Sequence, residues 1–164
     1  MMGLSLILLG SNLGDREMLI KSAIDMIGKN CGNVLSYSRI YETEPWGFDA
    51  ENNFLNQIIS IQTDLRPHDL LKELLSIEAI LGRKRNEYAT TYESRPMDLD
   101  ILYYDDLIIN DNDLILPHPR LHRRRFTLLP LCDIAPDLKH PLFNKSNKTL
   151  LEECDDDSNG KVYL

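Results

Sequence analysis

Two aspartates, Asp98 and Asp100, sit inside an apolar run, Arg95-Pro96-Met97-Asp98-Leu99-Asp100-Ile101-Leu102-Tyr103-Tyr104. In a β-strand side chains alternate, so both carboxylates share one face while Met97, Leu99 and Ile101 share the other. Their Cα atoms would lie roughly 7 Å apart. Like charges that close repel unless a cation or basic partners stand between them, and oxygen-only donors suit a hard cation such as Mg²⁺. A cation with open coordination positions can bridge substrate phosphates. A lone Asp-x-Asp pair also occurs on exposed strands where both groups are simply solvated, so the surroundings must decide.

Those surroundings are basic. Arg83, Lys84, Arg85 and Arg95 lie just upstream, and Arg120, His122, Arg123, Arg124 and Arg125 form a second cluster, in a chain of formal charge −8. Arginine offers a planar fork of donors to phosphate, which makes nucleotide polyphosphate the economical ligand. The alternative is pairing with surface acids. His118, between Pro117 and Pro119, belongs to a rigid turn and could donate to a phosphate or nucleobase. His118 and His122 are four residues apart, but the proline speaks against a helical zinc pair. His68 and His140 are expected in surface or capping roles.

A third group, Thr43, Trp46, Phe54, Asn56 and Phe126, could hold a flat heteroaromatic, with phenylalanines stacking on its faces and an amide reading its edge. The alternative for such residues is ordinary core. Gly10-Ser11-Asn12-Leu13-Gly14 follows a strand and precedes a helix, a context for anion binding, yet it lacks the Gly-Lys-Ser/Thr ending of a P-loop and reads better as a tight turn.

The elements that must position these residues follow from periodicity. Leu4 to Leu9 is a continuous apolar run, as in a central strand covered on both faces. From Arg16, apolar residues recur at helical spacing until the stop signal at Asn30 to Gly32. Val34 to Tyr41 and Phe54 to Thr63 read as strands, separated by a polar loop over Pro45 to Asn53. A second helix begins at Pro67 and runs up to Gly82. Between Gly82 and Pro96 lies a charged stretch long enough to be a functional loop, and Met97 to Tyr104 form a fourth strand. This order predicts an α+β fold: a ferredoxin-like βαββαβ core with an antiparallel sheet, extended by extra C-terminal strands and helices. Leu107 to Ile109 and Leu114 to Leu116 are expected as short edge strands, and Arg123 to Ala135 as a helix bent by Pro130. The acidic stretch Glu152 to Gly160 reads as solvated, with no further role.

With 164 residues the chain fits a single domain, 1–164, and 43% hydrophobic with 27% charged residues is the balance of a soluble globular protein. The negative charge argues against a nucleic-acid partner or an anionic membrane surface. The apolar start ends at Gly10, too soon to span a bilayer, and lacks a basic leader. Cys31, Cys132 and Cys154 are odd in number and far apart, which supports neither a disulfide framework nor a zinc site and points to a reducing cytoplasm. Nothing requires more than a monomer.

Taken together and in this order, GSNLGDRE, YETEPWG, FLN, IEAILGRKR, RPMDLDILYYD, LPHPRLHRRRF and PLCDIAP resemble the 6-hydroxymethyl-7,8-dihydropterin pyrophosphokinases of folate biosynthesis over most of the chain. The resemblance implies transfer of the pyrophosphoryl group of ATP to the hydroxymethyl oxygen of the pterin, with attack at the β-phosphorus and AMP left behind. It implies two Mg²⁺ ions held by Asp98 and Asp100, and Arg83, Arg85 and Arg95 as catalytic phosphate clamps. His118 and Arg124 would join Arg85 around ATP, with Glu78 and Ile101 at positions the family uses near the nucleotide. Thr43, Glu44, Trp46, Phe54, Asn56 and Phe126 would line the pterin pocket. The chain departs from the family pattern in three places. Tyr92-Glu93-Ser94-Arg95 stands where Trp-Gly-Pro-Arg is usual, Glu44 where some members have proline, and Phe54 where tyrosine is frequent.

Two other readings remain at this point. A nucleotidyltransferase of the polymerase-β type also pairs a Gly-Ser turn with Asp-x-Asp, but with the turn shortly before the carboxylates, unlike Gly10-Ser11 and Asp98 here. A non-catalytic ferredoxin-like ligand-binding module is the third, since fold alone does not fix function.

Overall fold

The computed structural model describes residues 2–44, 53–82, 96–158 and 160–164. Strand β1 (Gly3–Ser11) leads to helix α1 (Arg16–Asn30), strands β2 (Asn33–Tyr37), β3 (Tyr41–Thr43) and β4 (Phe54–Thr63), helix α2 (Pro67–Ile80) and strand β5 (Asp98–Tyr104). The sheet runs β5-β1-β4-β3, with β2 also on β4 and every pairing antiparallel. That order is the ferredoxin-like α+β fold expected from the sequence.

The strand expected over Val34 to Tyr41 is two short strands on the same partner. β2 lies against the Ile59–Gln62 end of β4 and β3 against its Phe54–Asn56 end. Between them Ser38 donates its N–H to the Ile58 carbonyl and accepts the Ile58 N–H on its side-chain oxygen, both at 2.8 Å. A side-chain oxygen thus stands in for a main-chain carbonyl, which breaks the ladder in two.

β1 and β4 are apolar on both faces because each face is covered. Ile7, Leu9, Leu55, Ile59, Ile61, Leu99 and Ile101 pack under α1 and α2. Leu6, Leu8, Ile58, Leu102 and Tyr103 pack with Leu121, Leu128, Leu131 and Leu150. These come from a 3-10 turn at Leu121–Arg123, helix α3 (Arg125–Ile134) and helix α4 (Asn147–Glu152). Pro130 lies inside α3 and is buried. The β1–β5 register shifts after Leu6, so Ile7 faces Ile101 while Leu6 faces Tyr103. The additional residue lets Leu102 and Tyr103 both join the α3-side core.

One expectation is met with shifted bounds and one fails. Short strands do form near Leu107 to Ile109 and Leu114 to Leu116, as β6 (Ile109–Asn110) and β7 (Ile115–Leu116), which pair with each other in a small sheet of their own rather than with the main sheet. The acidic stretch is not merely solvated. It leads into β8 (Lys161–Val162), which lies antiparallel to β3 and covers what would be an open strand edge. Among the described residues no helix is long and apolar enough to cross a membrane.

Candidate active site

β5 gives the two carboxylates their direction. Met97, Leu99 and Ile101 are 0%, 3% and 4% exposed, whereas Asp98 and Asp100 are half-buried. β5 is an end strand of the sheet, and beyond it the N–H of His118 donates to the Leu102 carbonyl at 2.9 Å. This bond fastens the Pro117-His118-Pro119 turn beside the aspartates.

His118 and Arg124 belong to the same neighbourhood. Burial pushes the His118 pKa down to about 4, the Arg124 charge pushes the same way, and the Asp98 carboxylate opposes them. The ring is therefore neutral at pH 7. Its Nδ1 accepts the Arg120 N–H at 3.2 Å, which leaves the ring proton on Nε2, where it can donate to an anion. Arg124 caps the start of α3, is 6% exposed, and holds its guanidinium 5.4 Å from the centre of the Phe126 ring. Cation–π contact orients both groups.

Across the sheet the register makes a second connection. Asp98 pairs with Gly10 of β1, Gly10 with Asn56 of β4, and Asn56 with Tyr41 of β3. Directly paired residues project from the same face, so Asp98 and Asn56 look toward the α3 side with only a glycine between them. A Cβ at Gly10 would stand 3.2 Å from Asn56 Oδ1 and 3.7 Å from Phe54 Cδ1. Asn56 and Thr43 are buried, and the Asn56 amide donates to Thr43 Oγ1 at 2.7 Å. The amide oxygen is thereby held on the Gly10 side. Phe54 and Phe126 are half-buried, Phe126 against the α3-side core.

The structure thus gathers Asp98, Asp100, His118, Arg124, Phe126, Thr43, Phe54 and Asn56 on one sheet face. Glu44 is exposed just past β3. Glu78 is buried on α2, and the Ile101 side chain packs in the core under α1 and α2, so Ile101 could meet a nucleotide only through its main chain. Trp46, Arg83, Arg85, Tyr92 and Arg95 lie outside the described residues. In the Gly10–Gly14 stretch, Gly10 and Ser11 continue β1, Gly14 takes a φ of 68°, and Asp15 caps α1 by accepting the Met18 N–H at 3.1 Å. The start of α1 is capped by its own carboxylate. From the sequence Gly10 reads as part of a turn after the first strand, whereas it lies within β1 between Asp98 and Asn56, a place where a strand glycine signals close approach.

The donor set fits magnesium. Among the described residues no three His, Cys, Asp or Glu side chains converge. Two carboxylates without nitrogen or sulfur donors suit Mg²⁺, which takes one or two protein carboxylates and completes its shell with water and substrate phosphates.

The model of the 7,8-dihydro-6-hydroxymethylpterin-pyrophosphokinase (HPPK) family matches residues 6–136. The chain belongs to this family. A Porphyromonas gingivalis 2-amino-4-hydroxy-6-hydroxymethyldihydropteridine pyrophosphokinase is 42% identical over 134 residues, covering 81% of this chain and 90% of that one. The Aquifex aeolicus pyrophosphokinase is 37% identical over 145 residues, 88% of each. Among solved structures, wild-type Plasmodium falciparum HPPK-DHPS with pterin and p-hydroxybenzoate superposes with a TM-score of 0.73 at 16% identity, over 93% of this chain. The present chain spans 42% of that longer protein, and the likeness carries the HPPK fold.

Proposed function

We infer that the family's reaction runs across the Gly10 row, from a pterin pocket at Asn56 to a phosphate site at Asp98. The enzyme transfers the pyrophosphoryl group of ATP to the hydroxymethyl oxygen of 6-hydroxymethyl-7,8-dihydropterin, giving the pterin diphosphate and AMP, a step of folate biosynthesis. The observation that carries this placement is the sheet face shared by Asp98 and Asn56, with Gly10 the residue between them in the row.

The pterin lies between Phe54 and Phe126, with Thr43 and the Asn56 amide at its edge and Glu44 just past β3; Trp46 is assigned to pterin binding from the sequence. Its hydroxymethyl group then lies over Gly10. Asp98 and Asp100 would hold two Mg²⁺ ions, which when bound neutralise the triphosphate and polarise its phosphoryl groups. Arg83, Arg85, Arg95 and Arg124 clamp phosphate oxygens, and His118 donates from Nε2. Glu78 and the Ile101 main chain border the nucleotide. The hydroxymethyl oxygen attacks the β-phosphorus while the bond from that phosphorus to the oxygen shared with the α-phosphate breaks. In such chemistry the protein works mainly by alignment and charge neutralisation.

A single domain acting as a monomer in the reducing cytoplasm completes the reading. The three cysteines are free, and burial pushes the thiols of Cys31 and Cys132 up to about 11, which keeps both unreactive.

The test is to incubate the protein with MgATP, with and without the pterin, and to separate the nucleotides. AMP that forms only with pterin is the expected result. ADP would contradict the reading, release of inorganic pyrophosphate would favour a nucleotidyltransferase, and binding of both ligands without turnover would favour a module.

A further inference from the structure

Past residue 136, where the family match ends, the chain returns to touch both walls of the proposed pterin pocket. On the α3 wall, Asp156 Oδ2 accepts the N–H of Arg125 at 3.0 Å, and Arg125 stands between Arg124 and Phe126. Oδ1 of the same carboxylate accepts the Ser158 N–H at 3.0 Å. Burial works against this charge, but the hydrogen bonds from Ser158 and Arg125 outweigh it and hold the Asp156 pKa below the ordinary carboxylate value.

On the other wall, β8 pairs with β3, Tyr41 opposite Val162 and Glu42 opposite Lys161. Ile40 extends the contact: its N–H donates to the Leu164 carbonyl at 2.9 Å and its carbonyl accepts the Tyr163 N–H at 2.7 Å. Gly160 sits between the walls. A Cβ there would stand 2.7 Å from Leu129 Cδ1 of α3, 3.3 Å from Thr43 Cγ2 and 3.9 Å from Tyr41 Cδ1. The absence of a side chain at Gly160 therefore allows α3 and β3 their close approach.

We propose that Asp156, Gly160 and β8 form a positioning strap that fixes the spacing between Thr43 on β3 and Phe126 on α3, and with it the affinity for the pterin ring. The strap rests on the pyrophosphokinase reading and touches no substrate itself. Phe126 and Thr43 are the two ends it ties, one through the first turn of α3 and the other through the edge of the sheet. Of the described groups proposed around the triphosphate only Arg124 stands at the start of α3; Asp98 and Asp100 on β5 and His118 beside it lie at the far end of the Gly10 row and do not depend on that spacing.

The experiment compares the full-length wild type with Gly160→Ala and Asp156→Asn, measuring AMP formation, KM for pterin and for ATP, and Tm. Displacement of a pocket wall by a fraction of an ångström should raise the pterin KM about 5- to 10-fold in each variant and by more than the ATP KM, which should stay within about twofold of wild type in Gly160→Ala, whose contacts are Leu129, Thr43 and Tyr41 rather than Arg124. Adding Leu129→Ala to Gly160→Ala removes the closest contact and should bring the pterin KM back toward wild type. If Gly160→Ala does not fold, Asp156→Asn, which preserves volume, decides. An active wild type whose variants keep the pterin KM, or raise both KM values together as Tm falls, overturns the strap while leaving the pyrophosphokinase reading intact. A wild type that forms no AMP overturns that reading and the strap with it.

Discussion

Asp98 on β5 and Asn56 on β4 occupy one cross-strand row, and Gly10 of β1 is the residue between them. Two interstrand steps separate their Cα atoms by about 10 Å. One end of the row carries an amide suited to a heteroaromatic edge, and the other carries a carboxylate suited to a cation. The glycine adds no side chain of its own to the row between the proposed pterin pocket and the proposed phosphate site.

Filling that position should therefore harm catalysis without harming the fold. Gly10→Ala places a methyl group 3.2 Å from Asn56 Oδ1, while replacing glycine inside a strand is favourable by about 0.5–1 kcal/mol. The expected result is an unchanged or slightly higher Tm with a pterin KM raised about tenfold. Gly10→Val should be worse for KM. Steady-state kinetics and calorimetry on both variants check this, and a wild-type pterin KM in Gly10→Val would contradict it.

Asp98→Asn and Asp100→Asn should each lower kcat by about a thousandfold or more, on the scale of losing an electrostatic group that stabilises the transition state. Their thermal transitions should stay put, since each change also relieves repulsion between two half-buried carboxylates. A rate near wild type in either variant, assayed over a range of Mg²⁺ concentrations, would contradict the assignment.

The carboxylate face was legible because strand alternation is a strict period of two, and Met97, Leu99 and Ile101 could only be buried together. The helices at Arg16 and Pro67 were legible from spacing and stop signals. The link from Asp98 to Asn56 was not, because it depends on register between strands remote in sequence. The strap was hidden for another reason: Asp155, Asp156 and Asp157 read as a solvated run, while the bond from Arg125 to Asp156 needs a helix start to be brought beside it. His140 shows the same blind spot. It was expected in a surface or capping role, and its Nδ1 does receive the N–H groups of Leu142 and Phe143 at 3.2 and 3.3 Å, yet the residue is 2% exposed and stacks on Phe143. His68, by contrast, is exposed as expected and pairs with Asp111 at 2.7 Å.

His140 also makes stability depend on pH. Burial, with a smaller push from His122, lowers its pKa to about 4 in the folded protein, against an ordinary value of 6.5. Below pH 6.5 the unfolded chain takes up a proton that the folded chain refuses, so stability falls as pH drops from 6.5 to 4 and is fully retained above that window. His118 acts in the same direction. Urea unfolding at several pH values should give His140→Gln a shallower loss across the window than wild type. An identical slope would show that His140 does not titrate as its burial requires.

The most direct measurement is a ³¹P NMR time course of wild type and Asp98→Asn side by side, each with MgATP and 6-hydroxymethyl-7,8-dihydropterin. The wild type should convert ATP into equal amounts of AMP and a pterin ester carrying two coupled phosphorus signals, and Asp98→Asn should leave ATP intact. Inorganic phosphate or ADP in place of those signals, or full turnover by Asp98→Asn, would contradict pyrophosphoryl transfer at this carboxylate face.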